Sequence, residues 1–431
     1  MAEPRFEAVK LLTKIEKDSS YSSILIADAF RNVKFPDSKD TAFAVSLVYG
    51  VLEKKLTLDY NISLYLTSKL SKLKPEVLSI LRTGAYQILF CDKIPDSAAV
   101  NEAVKISKKS GSAFASGLIN AVLRKISLNG IKLPENNLSI KYSVNDSIAQ
   151  SLVNDYGYEK TVEILESFKG RRPIFIRVNT LKCTAEELIK SLDTDGVIAV
   201  KTKLENCLTV ENTGDITRLQ AFRNGWFFVQ DMSSQLCCKL AGVKPGYTVI
   251  DCCAAPGGKT FSMAQYLGNT GKITSCDMYE HKTKLISDTA ERLGIKNVVT
   301  ICSDARQLPA KLDKADVVLC DVPCSGFGVM GRKPEIRYKK TEELTDIPVI
   351  QREILYSCCE LVKPGGTLVY STCTLNKKEN DLICDAFLEG HPDFRIADDD
   401  YYRSLTERYI TVFPAFDGGD GFFIAKFFRG I

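Results

Sequence analysis

Cys324 and Cys373 are the residues of this 431-residue chain whose surroundings best suit chemistry. Cys324 stands in Asp321-Val322-Pro323-Cys324 and Cys373 in Tyr370-Ser371-Thr372-Cys373-Thr374, each just after an apolar, β-branched run that reads as a strand end. A lone cysteine in such a place is usually a buried, inert core residue. Two of them, brought to one edge of a sheet downstream of a glycine-rich loop, suit covalent chemistry on a weakly electrophilic ring. One thiolate adds to the ring, and a second nearby group acts as base or helps release the product. A free thiol, with a pKa of about 8.5, is only partly ionised at neutral pH, so a helix terminus or a positive neighbour should help the attacking one. Asp321 is placed to meet the polar edge of such a ring and offset charge developing on it.

The glycine-rich loop is Asp251-Cys252-Cys253-Ala254-Ala255-Pro256-Gly257-Gly258-Lys259-Thr260. It follows one strand-like run and opens a helical one, where an α/β sheet places a ligand over helix N-terminal amides. Gly258-Lys259-Thr260 resembles the end of a nucleoside-triphosphate loop, but that motif needs a glycine five positions before Gly258, where Cys253 stands. The dinucleotide pattern of three spaced glycines is missing too. Asp277 lies 26 residues after Asp251, near the spacing of a ribose-binding carboxylate. Asp304 follows the third strand, where it would face an adenine amino group. A nucleoside without phosphates fits this set, and S-adenosylmethionine satisfies all of it. Lys259 has three open roles: the cofactor carboxylate, the acceptor base, or the helix start.

These residues need a scaffold, and the sequence supplies several domains, since one hydrophobic core seldom exceeds about 250 residues. Residues 4–130 repeat apolar positions at three and four, as in Ala8, Leu11, Leu12 and Ile15, which predicts an all-α domain of five or six helices broken at 34–39, 71–75 and 92–96. A Gly/Pro/Asn-rich linker spans 129–137. Short helices and strand-like runs at 174–178 and 226–229 then predict a small α+β domain, RRM-like, over 140–235. From 236 to 431, strands at 247–251, 273–277, 298–302, 317–321 and 367–371 alternate with helices and predict a Rossmann-like parallel sheet covered on both faces. The domains expected are therefore 1–135, 140–235 and 236–431.

The net charge of +4 is uneven, with 19 Lys/Arg against 13 Asp/Glu in residues 1–130, a basic excess compatible with a phosphate-rich partner. Fifteen cysteines without a Cys-x-x-Cys pair or a signal peptide indicate a reducing compartment, and most, including Cys237-Cys238 and Cys358-Cys359, read as small core residues. The two histidines, His281 and His391, lack a spaced cysteine pair, so no metal is expected. No apolar run approaches the roughly 18 residues that span a bilayer. A soluble, cytoplasmic protein, monomeric by default, is the expectation.

Leu81-Arg82-Thr83-Gly84-Ala85-Tyr86-Gln87-Ile88-Leu89, Asn101-Glu102-Ala103-Val104 and Gly117-Leu118-Ile119-Asn120-Ala121-Val122-Leu123-Arg124 resemble the NusB-type RNA-binding domain. Asp321-Val322-Pro323-Cys324-Ser325-Gly326 and Ser371-Thr372-Cys373-Thr374 resemble the NOL/NOP/Sun family of RNA cytosine-5 methyltransferases. The second likeness extends to Val178-Asn179-Thr180-Leu181-Lys182, Gln230-Asp231-Met232-Ser233-Ser234-Gln235-Leu236, Pro364-Gly365-Gly366 and Asp420-Gly421-Phe422-Phe423, and so spans nearly the whole chain. It implies a class I methyltransferase fold for the last domain. It also implies that Cys373 is the nucleophile, that Cys324 assists product release, and that Cys253, Ala254, Ala255, Pro256, Gly257, Gly258, Lys259, Asp277, Asp304 and Asp321 line the cofactor pocket. One departure is visible: Gly331-Arg332 precedes Lys333-Pro334-Glu335-Ile336 where relatives usually carry two arginines, and Glu335 replaces an Asp.

The expected activity is S-adenosylmethionine-dependent methylation of C5 of one cytidine in 16S ribosomal RNA, with the base extruded into the pocket. Arg332, Lys333, Arg337 and Lys339 are candidate phosphate contacts. A transfer RNA methyltransferase would share the cysteines but generally lacks a NusB-like domain. A non-catalytic antitermination factor would leave the cysteines and the loop unexplained.

Overall fold

The computed structural model describes residues 2–18, 29, 30, 33, 35, 37–170, 172–414 and 418–431. The chain forms two compact units, residues 1–166 with 332–341, and residues 167–331 with 342–431.

The first unit is helical. Helices Pro4–Asp18, Ser38–Glu53, Lys55–Ser63, Pro75–Phe90, Asp96–Lys109 and Ser116–Asn129 enclose Leu47, Leu58, Leu81, Ala85, Ile119 and Leu123, none of which reaches solvent. The expected breaks at 71–75 and 92–96 hold, while that at 34–39 lies partly outside the described residues. Glycine decides one close approach: a Cβ on Gly84 would stand 2.5 Å from a Leu123 methyl, so the helix carrying residues 117–124 packs tightly against the one carrying residues 81–89. Buried Arg82 is held by Asp59 at 2.6 and 2.8 Å and by Glu16 at 2.7 Å, which matches each guanidinium edge to a carboxylate.

Residues 332–341 belong to this unit, and one of the candidate phosphate contacts among them, Arg337, differs from the expectation. Arg337 is buried and donates to the Tyr142 carbonyl at 3.0 Å, while its own carbonyl accepts from Asn145 N–H at 2.7 Å. It is a structural residue rather than a phosphate contact, because a guanidinium that is 2% exposed and bonded to a backbone carbonyl is not presented to a polyanion.

The second unit contains two sheets. Strands β1 (Ile174–Val178), β2 (Ile198–Lys201), β3 (Cys207–Glu211) and β4 (Phe227–Val229) form an antiparallel sheet in the order β2-β3-β1-β4. Helix Ala185–Thr194, started by a Thr184–Glu187 capping box, covers the face formed by Ile176, Val178, Leu208, Val210 and Phe227. The sequence showed β1 and β4 but not β2, whose pattern is largely exposed, nor β3.

The larger sheet runs β10-β12-β9-β8-β5-β6-β7, with β5 (Thr248–Asp251), β6 (Lys272–Asp277), β7 (Val298–Cys302), β8 (Ala315–Asp321) and β9 (Val362–Thr372) parallel. It is not purely parallel as expected. β12 (Phe422–Arg429) pairs antiparallel with β9, and β10 (Phe394–Ile396) and β11 (Ile410–Val412) pair antiparallel with β12. β10 and β11 are only three residues each, too short to show a period, and β12 is apolar on both faces. Among the described residues no helix is long and apolar enough to cross a membrane.

Candidate active site

β5 and β8 lie side by side, and from them the chain continues in opposite directions along the sheet. Ligands of such sheets bind at this switch point, beyond the carboxyl ends of the strands. Asp251 ends β5, Asp321 ends β8, and both line a cleft of about 180 Å³.

Cys253, Ala254, Ala255, Pro256, Gly258 and Lys259 line the same cleft. Gly257 does not; it makes the turn. Its φ is +104°, and a Cβ there would meet the Phe261 ring at 2.4 Å. Helix Gly258–Leu267 starts straight after it with no side-chain cap, which leaves its first N–H groups for a ligand. Burial pushes the Cys253 thiol well above its ordinary range, so it serves as an apolar wall.

Asp251 is fully buried. Its Oδ2 accepts the Thr260 hydroxyl at 2.7 Å, and that hydroxyl also meets Ser275 Oγ at 2.9 Å, but its Oδ1 has no partner. Burial lifts its pKa to about 7. An orphaned acceptor beside uncapped helix amides fits the ammonium and carboxylate groups of an amino-acid-bearing nucleoside.

The two other acidic residues lie outside this cleft. Asp277 ends β6, with its Oδ1 accepting from Tyr279 N–H at 3.1 Å and lying 3.6 Å from Lys282 Nζ. Asp304 gives both carboxylate oxygens to the Arg306 guanidinium, at 2.6 to 3.1 Å, and this bond holds its carboxyl below the usual range.

Lys259 Nζ donates to Asp321 Oδ2 at 2.7 Å and to Ser234 Oγ at 3.3 Å, and it stands 4.9 Å from the centre of the Phe422 ring. Burial is the largest single influence and would lower its pKa, but the Asp321 charge, the neighbouring Cys237 and Cys238 and the hydrogen bond to Asp321 together outweigh it and leave the amine above the ordinary lysine value. Asp321 Oδ1 accepts from Ser371 Oγ at 2.7 Å. Gln230 and Ser234, from the segment after β4, complete the cleft. Spacing gave no roles to them or to Ser371, although their strings carried the family likeness.

The register pairs Asp321 with Ser371, so Cys324 and Cys373 leave adjacent parallel strands at the same level. Their sulfurs are 3.2 Å apart. The hydrogen bond to Cys373, then burial, then the charges of Cys373, Glu379 and Asp321, push the Cys324 thiol well up, so it stays protonated at neutral pH. Gly328 N–H donates to the Cys373 carbonyl at 3.0 Å, and Gly421 N–H donates to the Gly328 carbonyl at 2.9 Å. A Cβ on Gly328 would meet the Gly421 carbonyl oxygen at 2.0 Å, so glycine is what lets these strand-end loops touch.

One cysteine group escaped the sequence because its members are far apart in the chain. Cys252, Cys320 and Cys358 bring three buried sulfurs within 4.8 Å of one another in the apolar layer under helix Ile347–Cys359, a spacing at which thiols can share an ion. Cys237, Cys238 and Cys359 are buried as expected.

The family description 16S rRNA methyltransferase RsmB/F matches residues 240–428, and the NusB family matches residues 2–128. The probable ribosomal RNA small subunit methyltransferase B of Bacillus subtilis (strain 168) is 35% identical, over 97% of each chain. The chain belongs to the RsmB/F methyltransferase family. Its similarity to the probable ribosomal RNA small subunit methyltransferase B of Synechocystis sp. (strain ATCC 27184 / PCC 6803 / Kazusa) is 32% identity over 99% of each chain. The crystal structure of PH0851 superposes with a TM-score of 0.82 at 28% identity, covering 99% of each chain. As a member of this family the protein is a methyltransferase, and its cofactor is S-adenosylmethionine. A ferredoxin-like domain of the RsmF/B type matches residues 147–217, whereas the compact units divide at 166/167, so helix Asp146–Tyr156 and most of helix Tyr158–Ser167 fall in the helical unit.

Proposed function

We propose that the protein methylates C5 of one cytidine in 16S ribosomal RNA through a transient bond between Cys373 Sγ and C6 of the base. The observation that carries this reading is the pair of sulfurs 3.2 Å apart at the ends of β8 and β9, with Cys324 held as a thiol. At that distance the Cys324 S–H can donate to a thiolate on Cys373.

Cys373 adds to C6, and the electron pair moves to C5, which becomes nucleophilic. Cys253, Ala254, Ala255, Pro256, Gly258 and Lys259 would hold S-adenosylmethionine, with Asp277 and Asp304 beyond the cleft as candidates for its nucleoside part, and the cofactor when bound would supply the methyl group from its sulfonium. Asp321, bonded to Lys259 and oriented by Ser371, meets the polar edge of the base and offsets charge on the ring. A solvent water takes the C5 proton, the C5–H electron pair re-forms the C5=C6 bond, and the C6–S bond breaks to release Cys373 as a thiolate that Cys324 S–H stabilises. The NusB-like helices, basic in residues 1–130, and the small antiparallel sheet supply RNA-binding surface. The reading places the protein in the cytoplasm as a monomer.

The test is incubation with labelled S-adenosylmethionine and either 16S ribosomal RNA or transfer RNA, followed by nucleoside analysis. Label in 5-methylcytidine of 16S RNA supports the reading. Label confined to transfer RNA, or to another nucleoside, overturns it.

A further inference from the structure

Glu379 lies outside the cofactor cleft, six residues beyond Cys373, and is 1% exposed. Its Oε2 accepts Ser325 N–H at 2.8 Å and Gln351 Nε2 at 3.0 Å, and its Oε1 accepts Asn376 Nδ2 at 2.8 Å. The same Gln351 amide donates to the Pro323 carbonyl at 2.9 Å. Both chain neighbours of Cys324 are thus tied to one buried side-chain network. The neighbours of Cys373 are tied in the same way by the next residue, Asn380. Its Oδ1 accepts the Thr372 hydroxyl at 2.7 Å, and its Nδ2 donates to the Thr374 carbonyl at 3.0 Å. Ser325 Oγ and Thr374 Oγ1, 2.7 Å apart, close the circuit between the two loops.

Three donors converge on the two side-chain oxygens of Glu379, so both are used as acceptors and the side chain is fixed in place. Resting on the reading above, we propose that Glu379 is a positioning residue for product release, a buried side chain whose bonds to Ser325 and Gln351 hold Cys324 against Cys373. It touches neither RNA nor cofactor. It fixes the backbone on each side of Cys324, and so the distance over which the Cys324 S–H reaches the departing Cys373 sulfur. Loss of the carboxylate frees the Cys324 loop from its anchor but leaves Cys373 held by Asn380, so addition survives and release fails.

The experiment measures methyl transfer and denaturation-resistant protein–RNA adduct for Glu379→Ala, Glu379→Gln and Gln351→Leu in the full chain, using an RNA that the wild-type protein labels. For Glu379→Ala the expected result is a kcat lower by about ten- to a hundredfold, the scale on which misplaced groups lose rate, with cofactor KM within about twofold of wild type and adduct accumulating as in Cys324→Ala. Glu379→Gln keeps one carbonyl oxygen for Ser325 and Gln351 and should recover most of the rate. Should Glu379→Ala fail to fold, Gln351→Leu, which removes the Pro323 tie and leaves the carboxylate, gives the same two readouts. An unchanged kcat, or a loss of kcat and cofactor affinity together without adduct, overturns the proposal. If Cys324→Ala itself traps no adduct, the covalent reading is at fault; if it does and the Glu379 and Gln351 variants do not, only the positioning role falls.

Discussion

Ser371 Oγ donates to Asp321 Oδ1 at 2.7 Å across the β8–β9 register pair, while Lys259 takes the other carboxylate oxygen at the same distance. Both oxygens are therefore fixed, one by a neutral donor from the strand that carries Cys373 and one by a cation from the cofactor loop. The carboxylate that ends β8 is oriented by both parts of the site.

Lys259→Met should cost about 2 kcal/mol in stability, less than the roughly 3–5 kcal/mol of a fully buried pair, because the Asp321 side chain keeps 29% of its exposure. Methyl transfer should fall at least about tenfold. Denaturant titration and initial rates check both. Adding Asp321→Asn to Lys259→Met should cost less than the sum of the single changes, since the pair acts as a unit.

Asp251 gives a pH dependence whose sign follows from its burial. Its folded pKa of about 7 lies above the ordinary 3.8, so the folded chain holds a proton that the unfolded chain has released. Stability of the cofactor-free protein should fall as pH rises from about 4 to about 7 and then level off. Asp251→Asn should flatten that stretch, and unfolding at pH 5 and pH 8 is the measurement. An equal slope in both proteins would show that Asp251 is not its source.

The two loop glycines should behave differently. Gly257→Ala places a Cβ at φ +104°, 2.4 Å from Phe261, and should cost about 1–3 kcal/mol and weaken cofactor binding. Gly258→Ala meets nothing closer than 3.5 Å and should leave the melting temperature nearly unchanged. Thermal unfolding with and without S-adenosylmethionine checks both.

What the sequence revealed follows from how each feature is encoded. Helical periodicity and the alternation of strands with helices are local, so the all-α part and all five parallel strands were legible. Cys324, Cys373, Asp321 and the cofactor loop were legible because motif residues sit at fixed offsets from strand ends. The antiparallel strands β10 and β11 were not, since three residues carry no period, and the Arg337 side chain was misread because its partner Tyr142 is 195 residues away. Shorter separations, 28 residues between Gln351 and Glu379 and 38 to 106 among Cys252, Cys320 and Cys358, were still enough to hide those two groups.

The covalent step is the claim on which the functional account stands. Cys324→Ala should be incubated with its RNA and S-adenosylmethionine, denatured, digested with ribonuclease, and peptide-mapped by mass spectrometry. The account predicts a pyrimidine nucleotide attached to the peptide that carries Cys373. A nucleotide on any other residue, or full methylation by Cys373→Ala, would contradict it.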